Sequence, residues 1–474
     1  MSPLAADAPS VAVVGGGLAG LAAGCALAGA GFRVTLLERR PYLGGRASSY
    51  EHPGTGEVVD NCQHVLLGCC TNLVDFYRRI GVEEKIRWFD RLTFVEPGGR
   101  QSVISPSWLP APFHSAPSFL RADSLSFADK RAIARGMLAI TVTLPKETEE
   151  NFLAWLRRHG QTERAIERFW KVVLVSALNE DLDRMSVHYA AQVFRESFLK
   201  SPEAGRMGIP TVPLTELYSA GADYIRARGG EVALRAPVES FQPEPGQVRL
   251  CLAGREVRSD FAVLAVPFDA LARLLPDAGD TQPLRQQLAR FETSPITGIH
   301  LWFDRQITDL EHAVLLDRTI QWMFHKSELV QRADSNQGGS YVELVVSSSK
   351  ALVEKPKNEI EEMALRELRE FFPGAAEAKL IKSTVIKEVH ATYSALPRSD
   401  DYRPGTATAW PSVFLAGDWT ATGWPATMEG AVRSGYQAAE ALARSAGRQE
   451  KFLLPDLAAT GFMRLFRHGS GSRS

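Results

Sequence analysis

Six residues near the N-terminus, Gly15-Gly16-Gly17-Leu18-Ala19-Gly20, constrain the fold of this 474-residue chain more than any other stretch, because of what flanks them. The apolar run 11–14 reads as a short buried strand, and 18–30 reads as an Ala-rich helix whose small side chains allow close packing on a sheet. Glycines at such a strand-to-helix turn have separate uses. Gly15 permits the tight turn, Gly17 lets a pyrophosphate approach the backbone, and Gly20 lets the helix sit close to the strand. The helix N-terminus, with Leu18 and Ala19 in its first turn, then offers amides and a positive dipole end to phosphate. Residues 33–38 read as the next parallel strand, and Glu38 stands where a carboxylate accepts from unphosphorylated ribose hydroxyls. This is a Rossmann-type dinucleotide unit, and the fingerprint alone does not separate a flavin from a nicotinamide.

The length exceeds what one hydrophobic core sustains, so interleaved domains are expected. A Pro-, Trp- and Phe-rich stretch at 105–120 precedes helical patterns over 127–140 and 152–178, which read as an inserted lid. A helix over 215–228 ends at Gly229-Gly230, and 231–265 alternates as three strands. Strands over 299–303, 313–324, 341–346 and 380–390, with an amphipathic helix over 358–371, make a second unit with an antiparallel sheet. A strand, a Gly-rich turn and a helix over 412–443 return to the first unit, and the Gly/Ser/Arg tail at 469–474 is expected to be disordered.

Lys plus Arg number 54 against 55 Asp plus Glu, a net charge of -1 that gives no global attraction for nucleic acid. No run of 18 uncharged apolar residues offers a membrane span, and residues 1–10 lack a basic and apolar leader, which points to the cytoplasm. Cys25, Cys62, Cys69, Cys70 and Cys251 form neither a disulfide array nor a metal knuckle, so structural thiols and no metal site are expected.

Glu38-Arg39-Arg40-Pro41-Tyr42-Leu43-Gly44-Gly45-Arg46 resembles the stretch after the second strand in the flavin amine oxidase and phytoene desaturase superfamily. Far away, Val413-Phe414-Leu415-Ala416-Gly417-Asp418-Trp419 with Met428-Glu429-Gly430-Ala431 resembles that superfamily's C-terminal flavin segment. The resemblance implies FAD as the cofactor. It places Arg39 and Gly45 against the dinucleotide, Arg46 as a charge for phosphate or flavin, and Gly417 and Asp418 at the ribityl chain or a phosphate-linked hydroxyl. Met428 opens a helix facing the pyrimidine ring, and Val238 contacts adenine through its backbone. The implied fold is α/β, a Rossmann-type FAD-binding domain of parallel sheet and helices interleaved with a substrate domain of antiparallel sheet and helices. Residues 1–100, 206–285 and 396–446 would make the former, 101–205 a helical substrate lid, 286–395 the substrate domain and 447–474 a tail.

Within the superfamily, amine oxidases carry an aromatic ring and a lysine near the flavin; the similar places here hold Thr427 and Thr297, which disfavours amine oxidation. Asp60-Asn61-Cys62-Gln63-His64-Val65-Leu66-Leu67-Gly68, Ser294-Pro295-Ile296 and Pro425-Ala426-Thr427 are similar to the hydroxysqualene dehydroxylases, squalene-associated flavoproteins of bacterial hopanoid pathways. That family usually has Gly where Cys62 stands, and a side chain there is expected to crowd the flavin or shift Gln63 and His64. The resemblance implies reductive removal of the allylic hydroxyl of hydroxysqualene: an acid protonates the hydroxyl, an allylic cation forms, and reduced FAD delivers hydride. Gln63 would touch the cofactor. His64 is the first candidate acid, ahead of Asp60, which would need strong desolvation to keep a proton, and Tyr393 is a further donor.

Trp108, Phe113, Phe169 and Trp170 suit either a tunnel for a C30 polyisoprenoid or ordinary packing. The segments 105–120 and 452–468 suit peripheral contact with a bilayer, or a tail docked on the protein itself. Two other functions stay open, a carotenoid-type polyene desaturase and a flavin-binding scaffold without turnover. No second complete fingerprint is visible for a nicotinamide, so a separate electron donor or reductase is expected.

Overall fold

The computed structural model describes residues 8–54, 56–277, 279–330 and 339–466. Its first layer is a parallel sheet of five strands in the order Glu231–Ala233, Arg33–Leu37, Ser10–Val14, Phe261–Leu264 and Val413–Leu415. Strands buried on both faces need near-continuous apolar runs, which Val11 to Val14 supply. The helix Leu18–Gly29 carries no charge and is buried along almost its whole length, with Met428–Ser445 and Leu214–Arg226 packed around it. A three-stranded antiparallel meander, Val238–Glu244, Gln247–Leu252 and Arg255–Ser259, covers the opposite face and buries Val248, Leu250 and Leu252 by strict alternation.

The second unit is a seven-stranded sheet, ordered Leu380–Tyr393, Thr293–Phe303, Ser340–Ser347, Trp322–His325, His312–Leu315, Leu92–Val95 and Gln101–Ile104. All its pairs are antiparallel except His312–Leu315 with Leu92–Val95. The helix Lys357–Phe371 lays Ile360, Ala364, Leu368 and Phe371 on one face of it. Helices between Ala116 and Leu199 form a third cluster around Trp155, Trp170 and Phe194, and include two π-helical segments, Ile166–Lys171 and Arg195–Leu199.

Three expectations are revised. The region 231–265 makes five strands rather than three; Arg235, in left-handed backbone at φ 53, turns the chain from the parallel sheet into the meander, and Phe261–Leu264 then rejoins that sheet. The run 313–324 is a hairpin, broken by Asp317 at φ 62. The stretch 152–178 is interrupted at Gly160, which ends the helix Phe152–Arg158. The strands Leu92–Val95 and Gln101–Ile104, joined across Gly98-Gly99, belong to the seven-stranded sheet, so residue 100 falls inside a hairpin. The tail at 469–474 lies outside the described residues.

Candidate active site

A cavity of 590 Å³ runs between the two sheets. At one end Gly15, Gly17, Leu18 and Ala19 face Glu38, Arg39 and Arg40, with Val238 beside them. Gly20 does not line it. A Cβ there would lie 1.9 Å from the Gly15 carbonyl oxygen, so Gly20 brings helix and turn together from behind. Gly17 and Gly44 form a parallel bridge, and a Cβ on Gly45, whose φ is 64, would stand 2.9 Å from the Gly17 Cα. Two backbone segments therefore approach with nothing between them but hydrogen, leaving room for a diphosphate at the amides that open Leu18–Gly29. Glu38 accepts from the Gly16 N–H at 2.6 Å and the Arg40 N–H at 2.7 Å, which ties the glycine turn to the second strand and leaves lone pairs for a ribose.

Gly45 and Arg46 lead to Gly417 and Asp418, all on the cavity wall. The Arg46 guanidinium is paired with the Asp418 carboxylate and also donates to the Ala391 carbonyl at 3.2 Å. The far end holds Gln63 and His64, Ser176 and Asn179 from the helical insertion, Ile296, Thr392 and Thr427-Met428. Asn179 was not foreseen. It sits at φ 52, donates to Ser294 O and Thr392 Oγ1, and accepts from the Ser348 N–H at 2.6 Å, so it knits the insertion to the antiparallel sheet. Arg273, also on the wall, lies on the short helix Phe268–Leu274 with no motif to mark it.

The two candidate acids fare differently from expectation. Asp60 does not line the cavity and is 6% exposed. Burial alone would lift its pKa, but the Lys326 ammonium at 2.8 Å, the Ser49 hydroxyl at 2.6 Å and the Leu214 amide together hold it below the ordinary value. Asp60 is thus an ionised carboxylate with no proton to give. His64 does face the cavity, but burial lowers its pKa and outweighs the opposing pull of the Cys62 carbonyl and nearby carboxylates. That carbonyl can only accept, so the 2.8 Å contact makes Nδ1 the protonated nitrogen and leaves Nε2 a lone pair. At neutral pH His64 is a base. Tyr393 is buried, and that burial pushes its hydroxyl well above the ordinary range. Cys62 lies on the cavity wall beside Gln63 and His64; its backbone avoids the left-handed region, and it belongs to a core cluster with Met207, Ile209, Phe324 and Val345. Burial raises its thiol well above the ordinary value, so it is neutral.

A second cavity, of 210 Å³, adjoins the first and shares Val65, Ser176, Ala177, Thr427 and Met428 with it. Its walls are mainly apolar, including Leu73, Phe94, Val172, Val173, Phe198, Met207 and Trp322, and the π-helical segment Arg195–Leu199 borders it. Two carboxyls reach it. Glu429 is committed to structure, accepting from the Leu73 and Asn72 amides at the start of the helix Thr71–Ile80. Glu196 is raised in pKa by burial despite the Lys200 ammonium. Thr427 is where it is because its hydroxyl caps Met428–Ser445 through the Gly430 N–H, and Thr297 is fully buried against Ser349. None of Trp108, Phe113, Phe169 and Trp170 lines either cavity; Trp170 is core, and Trp108 is 90% exposed.

A Rossmann-type sheet and an antiparallel sheet closing over a cavity lined by the glycine turn form the architecture of a dinucleotide-binding protein. The model of the flavin containing amine oxidoreductase family matches residues 18–443, and the chain belongs to that family. It is 29% identical over 454 residues to the 15-cis-phytoene desaturase of Synechococcus elongatus, covering 91% of this chain and 95% of that one. It is 26% identical over 485 residues to the zeta-carotene desaturase of Synechocystis sp., covering 94% and 99%. The structure of putrescine oxidase bound to putrescine superposes with a TM-score of 0.70 at 17% identity, covering 93% of this chain and 99% of that one. The cofactor of this family is FAD, and the glycine cradle, Glu38 and the helix amides fit it.

Proposed function

We propose that this FAD-dependent oxidoreductase acts on a long polyisoprenoid, removing the allylic hydroxyl of hydroxysqualene to give squalene. The observation that carries this reading is the apolar second cavity, which opens on the far end of the cofactor cavity with neither an aromatic cage nor a lysine at Thr427 and Thr297. Such walls take hydrocarbon and leave an amine unsolvated. Bound FAD in its reduced form supplies the hydride. The C–O bond breaks, the hydroxyl leaves with a proton as water, and the new C–H bond forms at the allylic carbon. The protein's share is to orient the chain, exclude water and hold that proton. Asp60 is ionised and His64 is a base, so neither holds that proton; Glu196, raised from the ordinary carboxyl value by burial against the pull of its Lys200 partner, is the carboxyl on the second cavity's wall to test as its source. A separate donor or reductase recharges the cofactor.

Desaturation is the second reading, favoured by the phytoene and zeta-carotene desaturases among the relatives and by the free Nε2 of His64, which suits proton removal. Anaerobic mixing of the chemically reduced holoenzyme with hydroxysqualene is expected to reoxidise the flavin and yield squalene by lipid mass spectrometry. Unchanged alcohol beside a fully reduced flavin rejects dehydroxylation. Conjugated products from the oxidised holoenzyme and a C30 or C40 polyene would move the assignment to desaturation.

A bilayer is the natural source of such a substrate. The segment around 108–113 meets the C-terminal tail, where Phe462 donates to the Ala111 carbonyl at 2.9 Å and its ring lies edge-on to Phe113. Residues 451–460 hold no regular secondary structure and lead into the 3₁₀ turn Gly461–Phe466; Met463 is buried, while Leu465 is 79% exposed beside Arg464. No described helix is long and apolar enough to cross a membrane. Contact would therefore be peripheral, with Trp108, Leu120 and Leu465 as apolar wedges. A row of rings, Phe119, Phe169, Phe194 and Phe198, leads from this surface to the second cavity. A Trp108→Ser/Leu465→Ser variant is expected to lose flotation with liposomes that carry the parent protein; equal flotation discards this surface as the anchor.

A further inference from the structure

The buried lysine behind the flavin end of the cavity is not used by the chemistry above. Lys326 opens the short helix Lys326–Leu329 and is 2% exposed at its side chain. Its Nζ lies 2.8 Å from Asp60 Oδ2, 2.7 Å from Gln63 Oε1 and 3.5 Å from Glu343 Oε2. Burying an ammonium is costly, and holding the loop does not require it. That loop already has its own anchors: Ser49 pairs with Asp60 in an antiparallel ladder, the Asn61 N–H donates to Ser48 O, and Asn61 Nδ2 donates to Arg46 O.

What Lys326 does fix is the direction of the Gln63 amide. An ammonium can only donate, so the atom facing it must be the amide oxygen, and Nε2 is turned away. One of its N–H groups goes to His64 O at 3.0 Å, and the other remains for the cavity that Gln63 lines. With the ribose at Glu38 and the diphosphate at the glycine turn, the isoalloxazine ring falls at the end where Gln63 stands. A cation on the amide oxygen also strengthens the N–H as a donor, because linked hydrogen bonds polarise one another.

We propose that Lys326 is a positioning residue for the cofactor: through Gln63 it presents a polarised N–H donor to the flavin and so favours the electron-rich reduced ring over the oxidised one. The inference rests on FAD binding and not on the identity of the substrate. Its test is the midpoint potential of the holoenzyme, measured by dye-equilibrated reduction with no substrate present. Lys326→Met is expected to shift the reduced-to-oxidised equilibrium about tenfold toward the oxidised form, about 30 mV for a two-electron couple. Gln63→Leu is expected to give a similar shift, and the double variant no further one. If Lys326→Met does not retain FAD, Asp60→Asn/Lys326→Met removes both charges together, and Gln63→Leu alone still decides. A lysine that merely braced the fold would lower the melting temperature and leave the potential where it was. An unchanged potential in Gln63→Leu, or in a FAD-loaded Lys326 variant, overturns the proposal. Failure of hydroxysqualene turnover would leave it standing.

Discussion

A Gly45→Ala variant is expected to purify with little flavin and to bind added FAD about 100-fold more weakly than the parent. Two costs combine. Gly45 sits at φ 64, where a Cβ costs roughly 1–2 kcal/mol. That Cβ would also stand 2.9 Å from the Gly17 Cα, so the two backbones must part where the diphosphate is held. A total of about 2–3 kcal/mol converts to this loss of affinity at 1.4 kcal/mol per tenfold. Flavin fluorescence titration reads it directly. Binding as tight as the parent's would mean that the Gly17 and Gly45 approach is not the cradle.

The cofactor half of this site was legible because its determinants are local. A strand, three glycines and an Ala-rich helix in immediate succession define the turn whatever the rest of the chain does, and Gly15, Gly17, Leu18 and Ala19 all reach the cavity. Gly417, Asp418 and Met428 reach it too, at the end of a parallel strand and the start of a helix. The remainder depends on partners distant in sequence. Asp60 looks like a candidate acid until Lys326, 266 positions away, is seen to neutralise it. The role of His64 turns on which nitrogen meets a carbonyl two residues back, and no spacing rule carries that. The extra strands were hidden for a different reason. Arg235 and Asp317 adopt left-handed backbone without being glycine, so the residues that make these turns are not the ones a turn signal picks out.

The same buried cluster makes a second large prediction, on stability. Glu343 lies fully buried on Ser340–Ser347, opposite His300 and Phe324. Burial lifts its carboxyl from 4.5 to about 7, the Lys326 ammonium pulling it down and the Asp60 carboxylate pushing it up. A carboxyl raised on folding favours the folded state fully below its unfolded pKa and loses that contribution as pH climbs through the folded value. The loss amounts to about 3 kcal/mol between pH 4.5 and neutrality. Glu343→Gln keeps the size and an acceptor for Lys326 but does not titrate. The stability of the variant minus that of the parent is therefore expected to grow by about 3 kcal/mol as pH rises from 4.5 to 8, read by urea unfolding at several pH values. Taking the difference isolates this group. His64, His114, His312 and His325, all lowered mainly by burial, titrate in both proteins and cancel. Asp60, held below its ordinary value, gives up its contribution only at more acidic pH. Parallel pH profiles for the two proteins would show that Glu343 ionises freely, and that the space between the loop Asp60 to His64 and the antiparallel sheet is wet.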